Sequence, residues 1–379
     1  MDREIIEAEI RNFIMVWSSI LISACYCYII TKFVPKGTIR FFTFLPVLCL
    51  FLILPLKLNF INLVCPTSFF ISWLASFKLL LLVFEHGPLS NPSLSVFDFV
   101  LLCCLPIMLK KPASPNSSST IKEEKRLHKF VIDVYFAMRP LLHFAEKGLV
   151  LISLIVFLTY YKDIFPREIV IFLVCICLYI AMDVIQGVIA VICQVLLQTE
   201  LEPAFNYPYH STSLKDFWSH RWNRVAGITL RSTVFEPIFR YSYMALGQKW
   251  ASILAVVGTF LVSALMHEIM FYYLCGVVRP ARGTTLFFFI HGLLLIVESK
   301  LKRKIEGKWQ TIVGPLIFGF VIWTFIWLCM WELLLEYDLV NRGLEEYAAV
   351  VAFAWDLGMD WRNVAYNLCK IFIPTAQSW

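Results

Sequence analysis

Charge is what this sequence holds least of. Asp, Glu, Lys and Arg make up 16% of its 379 residues, where soluble domains carry about 25%. So few charged side chains cannot coat a water-facing globule. A hydrophobic content of 59% and a mean hydropathy of +0.73 point the same way. No room is left for a separate soluble domain. The chain reads as a polytopic membrane protein of about 8–10 helices, at roughly 20 residues per span.

Other absences narrow the function. Twelve cysteines are present, but Cys25, Cys27, Cys103, Cys104, Cys175 and Cys177 sit inside apolar runs, and no Cys-x-x-C pair stands beside a histidine cluster. Neither a zinc site nor a disulfide framework is supported, and packing is the expected role. HEIMF, beginning at His267, lacks the second histidine of HExxH, which removes a zinc protease. The net charge of +6 resides in clusters at 110–129, 215–224 and 300–308. Such short clusters suit headgroups or an anionic substrate rather than nucleic acid. The start, MDREIIEAEIRNFIMVWSSI, has no cationic leader and no small-residue cleavage site, so the first span is expected to remain as an anchor.

What is present is a series of apolar runs, at about 13–31, 39–56, 67–84, 95–109, 148–162, 168–197, 249–275, 284–299 and 310–335. Each is predicted helical, because lipid offers backbone groups no hydrogen-bond partner. Pro46 predicts a kink in the second, and 95–109 is short for a full crossing. The basic, Pro- and Ser-rich stretch 110–126 predicts a cytoplasmic loop. Two mixed segments, 130–146 with Asp133, Arg139 and His143, and 226–245 with Arg231, Glu236 and Arg240, read as interfacial helices. Basic residues flank both ends of 284–299: Arg279 and Arg282 before it, Lys300 to Lys308 after it. Either this run is re-entrant or the orientation is set elsewhere.

The stretch SLKDFWSHRWNRV, 213–225, interrupts the apolar pattern. Ser213 and Asp216 form a capping-box spacing, so a helix is predicted to start there. On one continuous helix, Trp218, Trp222 and Val225 would share one side, with Asp216, Ser219 and Asn223 on another. Cations and aromatic faces together suit an anionic ligand with a flat ring, yet an interfacial anchor fits the same pattern. Asn223 inclines the choice towards a ligand, since anchoring does not call for an asparagine.

In ASILAVVGTFLVSALMHEIMFYYLC, 251–275, His267 and Glu268 break an apolar run. An ionisable residue inside a membrane is a functional-site hypothesis by default. A desolvated, unpaired histidine there stays neutral and able to accept a proton. Ser263, one turn earlier, is placed to orient the ring. The bland alternative is a structural histidine hydrogen-bonded between helices. His291, in FFFIHGLLL, is the rival candidate, without a polar helix to accompany it. Asp183 and Gln186 lie a turn apart in 168–197, where an interhelical hydrogen bond is expected.

Taken together, LEPAFNYPYHSTSLKDFWSHRWNRV and SALMHEIMFYY resemble the wax synthase branch of the membrane-bound O-acyltransferase family. The shared pattern is an S-L-x-x-F-W-x-x-R-W-N block followed by an S-x-L-M-H-E block. The likeness runs from KFVPKGTIRFFTFLPVL to the last span. It implies a single domain over 1–379, with N-terminal spans at 1–109, the polar loop at 110–128 and a catalytic core region at 199–275. The implied fold is an all-α transmembrane bundle with interfacial helices and a central reaction chamber. The implied reaction is acyl transfer from acyl-CoA to a lipid hydroxyl in the endoplasmic reticulum membrane.

Carried onto this chain, the resemblance makes His267 the catalytic histidine and Asn223 the motif asparagine. The chemistry agrees: a hydroxyl is a weak nucleophile, and a neutral histidine takes its proton as it attacks the thioester. Asn223 would donate to the thioester carbonyl or hold the substrate. Arg221 and Arg224 are assigned to CoA phosphates, and Trp218 and Trp222 to the walls of the acyl-CoA tunnel. Acyl-CoA is then a co-substrate, with no cofactor or metal called for. The partners are acyl-CoA, a lipid alcohol acceptor and membrane lipids, with no nucleic acid. A long-chain fatty alcohol giving a wax ester leads, with a sterol or diacylglycerol (and acetyl-CoA as donor) as the alternatives. In the rival class, a transporter or lipid scaffold, His267 and Asp183 would relay protons. The absence of an inverted hydropathy repeat weighs against it.

Overall fold

The computed structural model describes residues 3–110, 125–197, 199–276, 282–301, 309–330 and most of 339–358. Among them, eight helical stretches are long and apolar enough to cross a bilayer. The architecture is the expected all-α, multi-pass bundle.

Four helices build the N-terminal part, residues 3–104. α1 (Arg3–Phe33) and α2 (Thr38–Ile53, with Pro46 inside) lead to α3 (Ile61–Val83), whose middle widens into a π-helical stretch at Phe69–Ala75. α4 (Val96–Cys104) has only nine residues, about 13 Å of rise, so it does not cross. Its start is fixed by a Ser95–Asp98 capping box. Its end is fixed by a charge that hydropathy alone does not place. Lys78 of α3, 2% exposed, donates to the carbonyls of Leu102 at 2.6 Å and Leu105 at 2.7 Å. A cation at a helix C-terminus meets both the free carbonyls and the negative end of the dipole. Glu9 of α1 is the mirror case. It is buried and accepts from the amides of Asn59 at 2.6 Å and Phe60 at 3.0 Å, just ahead of α3.

α5 (Lys125–Tyr161) and α6 (Arg167–Leu197) form an antiparallel pair joined by a short turn. The expected interfacial helix at 130–146 is instead the first part of α5, which runs without a break into the span. The side chains of Asp133 and Arg139 lie outside the described residues, as does 111–124 of the polar loop. Gly187 allows the close packing: a Cβ there would stand 2.2 Å from the Phe144 ring.

The block at 213–225 is not one helix. A short α7 (214–221) ends in a π-turn, Trp222 is extended, and Asn223 turns left-handed with φ 31° before α8 begins at Arg224. The predicted side-sharing of Trp218, Trp222 and Val225 therefore fails, because π geometry and the break destroy the 3.6-residue register. α8 (224–246) and α9 (248–275) are separated by Gly247, with φ 73° and ψ 171°. The chain reverses there: a Cβ on Gly258 would lie 2.5 Å from Cδ1 of Ile238, twenty positions earlier. One straight helix would hold those two residues about 30 Å apart. α8 is thus a helix folded back on α9, and it leaves Tyr241 and Met244 almost fully exposed.

α10 (Arg282–Leu301) is one unbroken helix of 20 residues, about 30 Å long and without the turn a re-entrant segment needs. Arg279 and the basic run 302–308 lie outside the described residues. α11 (Trp309–Phe325) continues as a π-turn to Met330.

Two apolar clusters result. One joins α1 to α4 with parts of α6 and α8. The other gathers α7, α9, α10 and α11. Burying faces of this size against each other is worth about 25 cal/mol per Å² only where water is displaced, so helix contacts inside lipid rest on shape instead. The seam between the clusters is where the site lies.

Candidate active site

α7 is held at its N-terminus by three side chains. Ser213 Oγ accepts from the Asp216 amide at 2.9 Å, as the spacing predicted. Asp216 reaches one residue further back than a capping box requires, to the Thr212 amide at 3.0 Å. Glu298, from the end of α10, accepts from the amides of Leu214 and Lys215, each at 2.8 Å. A carboxylate of the chain itself thus occupies this helix terminus.

The two arginines are engaged. Arg221 Nε donates to Asp216 at 2.6 Å, and its Nη1 lies 3.4 Å from the carbonyls of Asn206 and Tyr207. Partial burial opposes ionisation of Asp216, but the Arg221 guanidinium and the Thr212 amide outweigh it and hold the carboxyl below the usual carboxylate range. Arg224 pairs with Glu202 and donates to the Pro203 carbonyl at 3.4 Å. Together they clasp the 202–207 segment onto the motif. Lys215 and His220 are exposed beside them.

Trp222 is half-buried and stacks on Tyr179 (5.7 Å, 22°) and Phe217 (5.4 Å, 17°), with Phe205 edge-on at 5.3 Å. Trp218 meets Phe260, Phe288 and His291 edge-on or tilted, and its buried Nε1–H has no partner among the described residues. Asn223 is 6% exposed, and its Oδ1 accepts from the Ala226 amide at 3.2 Å, capping α8. Asparagine is one of the few residues that tolerates the left-handed region, so the backbone alone already explains this choice. Its amide NH₂ makes no hydrogen bond among the described residues.

His267 lies at the seam. Its ring is 5.4 Å from Trp73, edge-on, and 4.6 Å from Phe288. Trp73 comes from the π stretch of α3 and Phe288 from α10, so each cluster supplies one wall. Nδ1 is 2.7 Å from the Ser263 carbonyl. A carbonyl only accepts, so Nδ1 carries the hydrogen and Nε2 of the neutral ring presents its lone pair. Nε2 makes no hydrogen bond among the described residues. Ser263 does orient the ring, but through its backbone rather than its hydroxyl. Glu268 turns aside to α10, where Thr285 donates to it at 3.2 Å.

His291 is built alike and finished differently. Its Nδ1 is 2.8 Å from the Phe287 carbonyl, it is 0% exposed, and the Thr324 hydroxyl stands 3.5 Å from its Nε2. Asp183, 7% exposed, makes the expected interhelical bond, to Lys147 of α5 at 2.5 Å. The Gln186 side-chain oxygen is buried without a partner among the described residues. No hydrogen bond joins His267 to Asn223. Trp73, Phe288, Glu298 and Lys147 went unnoticed in the sequence. Only Lys147, a cation beside an apolar run, left any local signal.

Residues 201–290 match the sequence profile described as the membrane bound O-acyl transferase family. Over 348 residues, 90% of this chain and 96% of the relative, the sequence is 37% identical to acyl-CoA–sterol O-acyltransferase 1 of Arabidopsis thaliana. It is 35% identical to the long-chain-alcohol O-fatty-acyltransferase of Simmondsia chinensis, covering 90% and 95% of the two chains. A probable long-chain-alcohol O-fatty-acyltransferase 1 of Arabidopsis thaliana is 35% identical, covering 86% and 92%.

Proposed function

Because the chain belongs to the membrane bound O-acyl transferase family, we propose that it transfers the acyl group of an acyl-CoA to a long-chain fatty alcohol, giving a wax ester and free CoA. Acyl-CoA-dependent O-acylation of an alcohol is the activity of an enzyme of this kind. The alcohol, the residues and the compartment are what the proposal adds. The compartment proposed is the endoplasmic reticulum membrane, and co-localisation of a tagged chain with a marker of that membrane tests it.

The observation that carries the mechanism is the Nδ1–H bond of His267 to the Ser263 carbonyl, which leaves Nε2 as an unclaimed base between Trp73 and Phe288. The alcohol oxygen attacks the thioester carbonyl as Nε2 takes its proton. A C–O bond forms, the C–S bond breaks, and the proton passes from Nε2 to the departing thiolate. The free NH₂ of Asn223 donates to the thioester carbonyl oxygen as negative charge develops on it. Apolar walls suit this chemistry, since they exclude water that would hydrolyse the thioester.

Arg221 and Arg224 are proposed to meet CoA phosphates without giving up their carboxylates. A guanidinium has five N–H donors, and each keeps some unused and remains about one-fifth exposed. Trp218 forms acyl-chain wall beside Phe288, and Trp222, stacked on Phe217, supports that wall.

The test supplies purified protein with acyl-CoAs of short and long chain and with a fatty alcohol, a sterol or diacylglycerol. Ester and free CoA are then measured. Wax ester with stoichiometric CoA is expected. Sterol ester as the main product would favour the second reading, which the 37% identity to a sterol acyltransferase keeps in view. No CoA release with any acceptor would return the chain to the transporter or scaffold class.

A further inference from the structure

A partly open cavity of about 350 Å³ lies between α5 and α6, away from His267. Val150 and Ile180 give it apolar walls, and the Lys147–Asp183 pair stands in its side. Three polar atoms at this place are unclaimed. Asp183 uses only Oδ2 for Lys147, and its Oδ1 makes no hydrogen bond among the described residues. The phenol oxygens of Tyr179, 9% exposed, and Tyr209 make none either. An ionised pair inside a membrane segment with spare polar atoms beside it is a costly arrangement for packing alone.

The charges say what the cavity prefers. The two carboxylates, Glu146 and Asp183, outnumber the one cation, Lys147, which disfavours a phosphate or CoA. A hydroxyl is suited, because it donates to a carboxylate and accepts from a phenol at once. The depth agrees. Lys147 stands about 21 Å along α5 from the turn after Tyr161, within a hydrocarbon layer of about 30 Å and near its other face. That is where the hydroxyl of an amphiphilic alcohol rides, with its chain directed inward along Val150. The cavity also adjoins the motif, since Tyr179 stacks on Trp222.

We infer that this cavity is the loading site for the acceptor alcohol, its hydroxyl held by Asp183 Oδ1 and the phenols of Tyr179 and Tyr209. This rests on the acyl-transfer reading above and adds the place where the acceptor is selected. Tyr179 and Tyr209 are specificity residues and make no contact with the reacting thioester.

The test uses full-length protein in lipid nanodiscs and a long-chain alcohol carrying a diazirine near its hydroxyl. Photolabelling is done on His267→Ala protein, where turnover cannot consume the probe. Label is expected in peptides holding 143–150, 179–183 or 207–210, displaced by excess unlabelled alcohol and not by acyl-CoA. Tyr179→Phe and Tyr209→Phe keep the rings and their packing. In otherwise native protein each should raise KM for the alcohol about fivefold, the factor of one ordinary hydrogen bond, and leave KM for acyl-CoA unchanged. Label confined to other segments, or an unchanged alcohol KM in the double variant, overturns the inference while ester formation stands. Absence of any ester from the native protein instead removes the acyl-transfer reading, and the acceptor site with it.

Discussion

His267 and His291 are held by the same local bond and differ at the other end of the ring. Each directs Nδ1–H at the carbonyl four residues earlier. At His291, Nε2 meets Thr324 in a fully buried setting. At His267, Nε2 faces the seam between two helix clusters with only aromatic walls nearby. A histidine in a membrane helix is therefore not informative by itself. What separates the two is the setting of the second nitrogen: a fully buried pocket beside Thr324 at His291, and the seam between the clusters at His267.

That comparison is broken most directly by His267→Ala. Loss of a general base costs roughly 10²–10⁴ in rate, so ester formation should nearly vanish while the protein extracts and migrates as before. The native enzyme should lose turnover as pH falls, because a protonated Nε2 cannot accept the alcohol proton, and the residual rate of the variant should lack that limb. Near-native turnover in His267→Ala would transfer the role to His291.

Asn223 asks the same question of the other block, where a backbone reason and a chemical reason coincide. Asn223→Ala leaves at φ 31° a residue without the side-chain hydrogen bond that makes asparagine tolerant there, and it removes the cap, at a cost of about 1–2 kcal/mol. Asn223→Gly restores the backbone freedom but not the NH₂. Thermal stability should recover in the glycine variant and turnover should stay low. Recovery of both would make Asn223 a turn residue only.

His291→Leu should act on stability alone. Thr324 still donates to the Phe320 and Val321 carbonyls, so no polar group is orphaned and the loss is about 1 kcal/mol. Turnover per folded molecule, with folded fraction read from size exclusion, should stay within about twofold of native on that scale. A collapse of turnover would erase the contrast. Smallest of all is Ser263→Ala: the carbonyl that orients His267 belongs to the backbone, so kcat and both KM values should not move. A clear drop in kcat would bring the hydroxyl into the mechanism.

Much of the frame was legible in the sequence. Apolar runs of span length placed the helices, although the first begins ten residues before its run and α5 begins at Lys125, far ahead of 148; Gly247 falls between the interfacial and spanning segments. The folding back of α8 onto α9 was not readable, since it depends on Gly258 admitting Ile238. The capping of α7 by Ser213 was readable from spacing, but the carboxylate that completes it, Glu298, stands 84 positions away. The helical faces assigned to 213–225 went wrong because a π-turn and a left-handed residue leave no periodic trace.

By itself the sequence determined that the chain is helical and membrane-borne, and that Asn223 and His267 fall in the stretch that matches its family. Those properties follow from desolvation along the chain and from short motifs, both of which are local. Tertiary structure alone decided which histidine stands at the seam between the clusters, which carboxylates Arg221 and Arg224 have already taken, and that Trp222 stacks on Tyr179 and Phe217. It also set Lys147 of α5 against Asp183 of α6. Each of these turns on a partner from a different helix, and a hydrogen-bonding atom cannot be counted free until every helix that could reach it is in place.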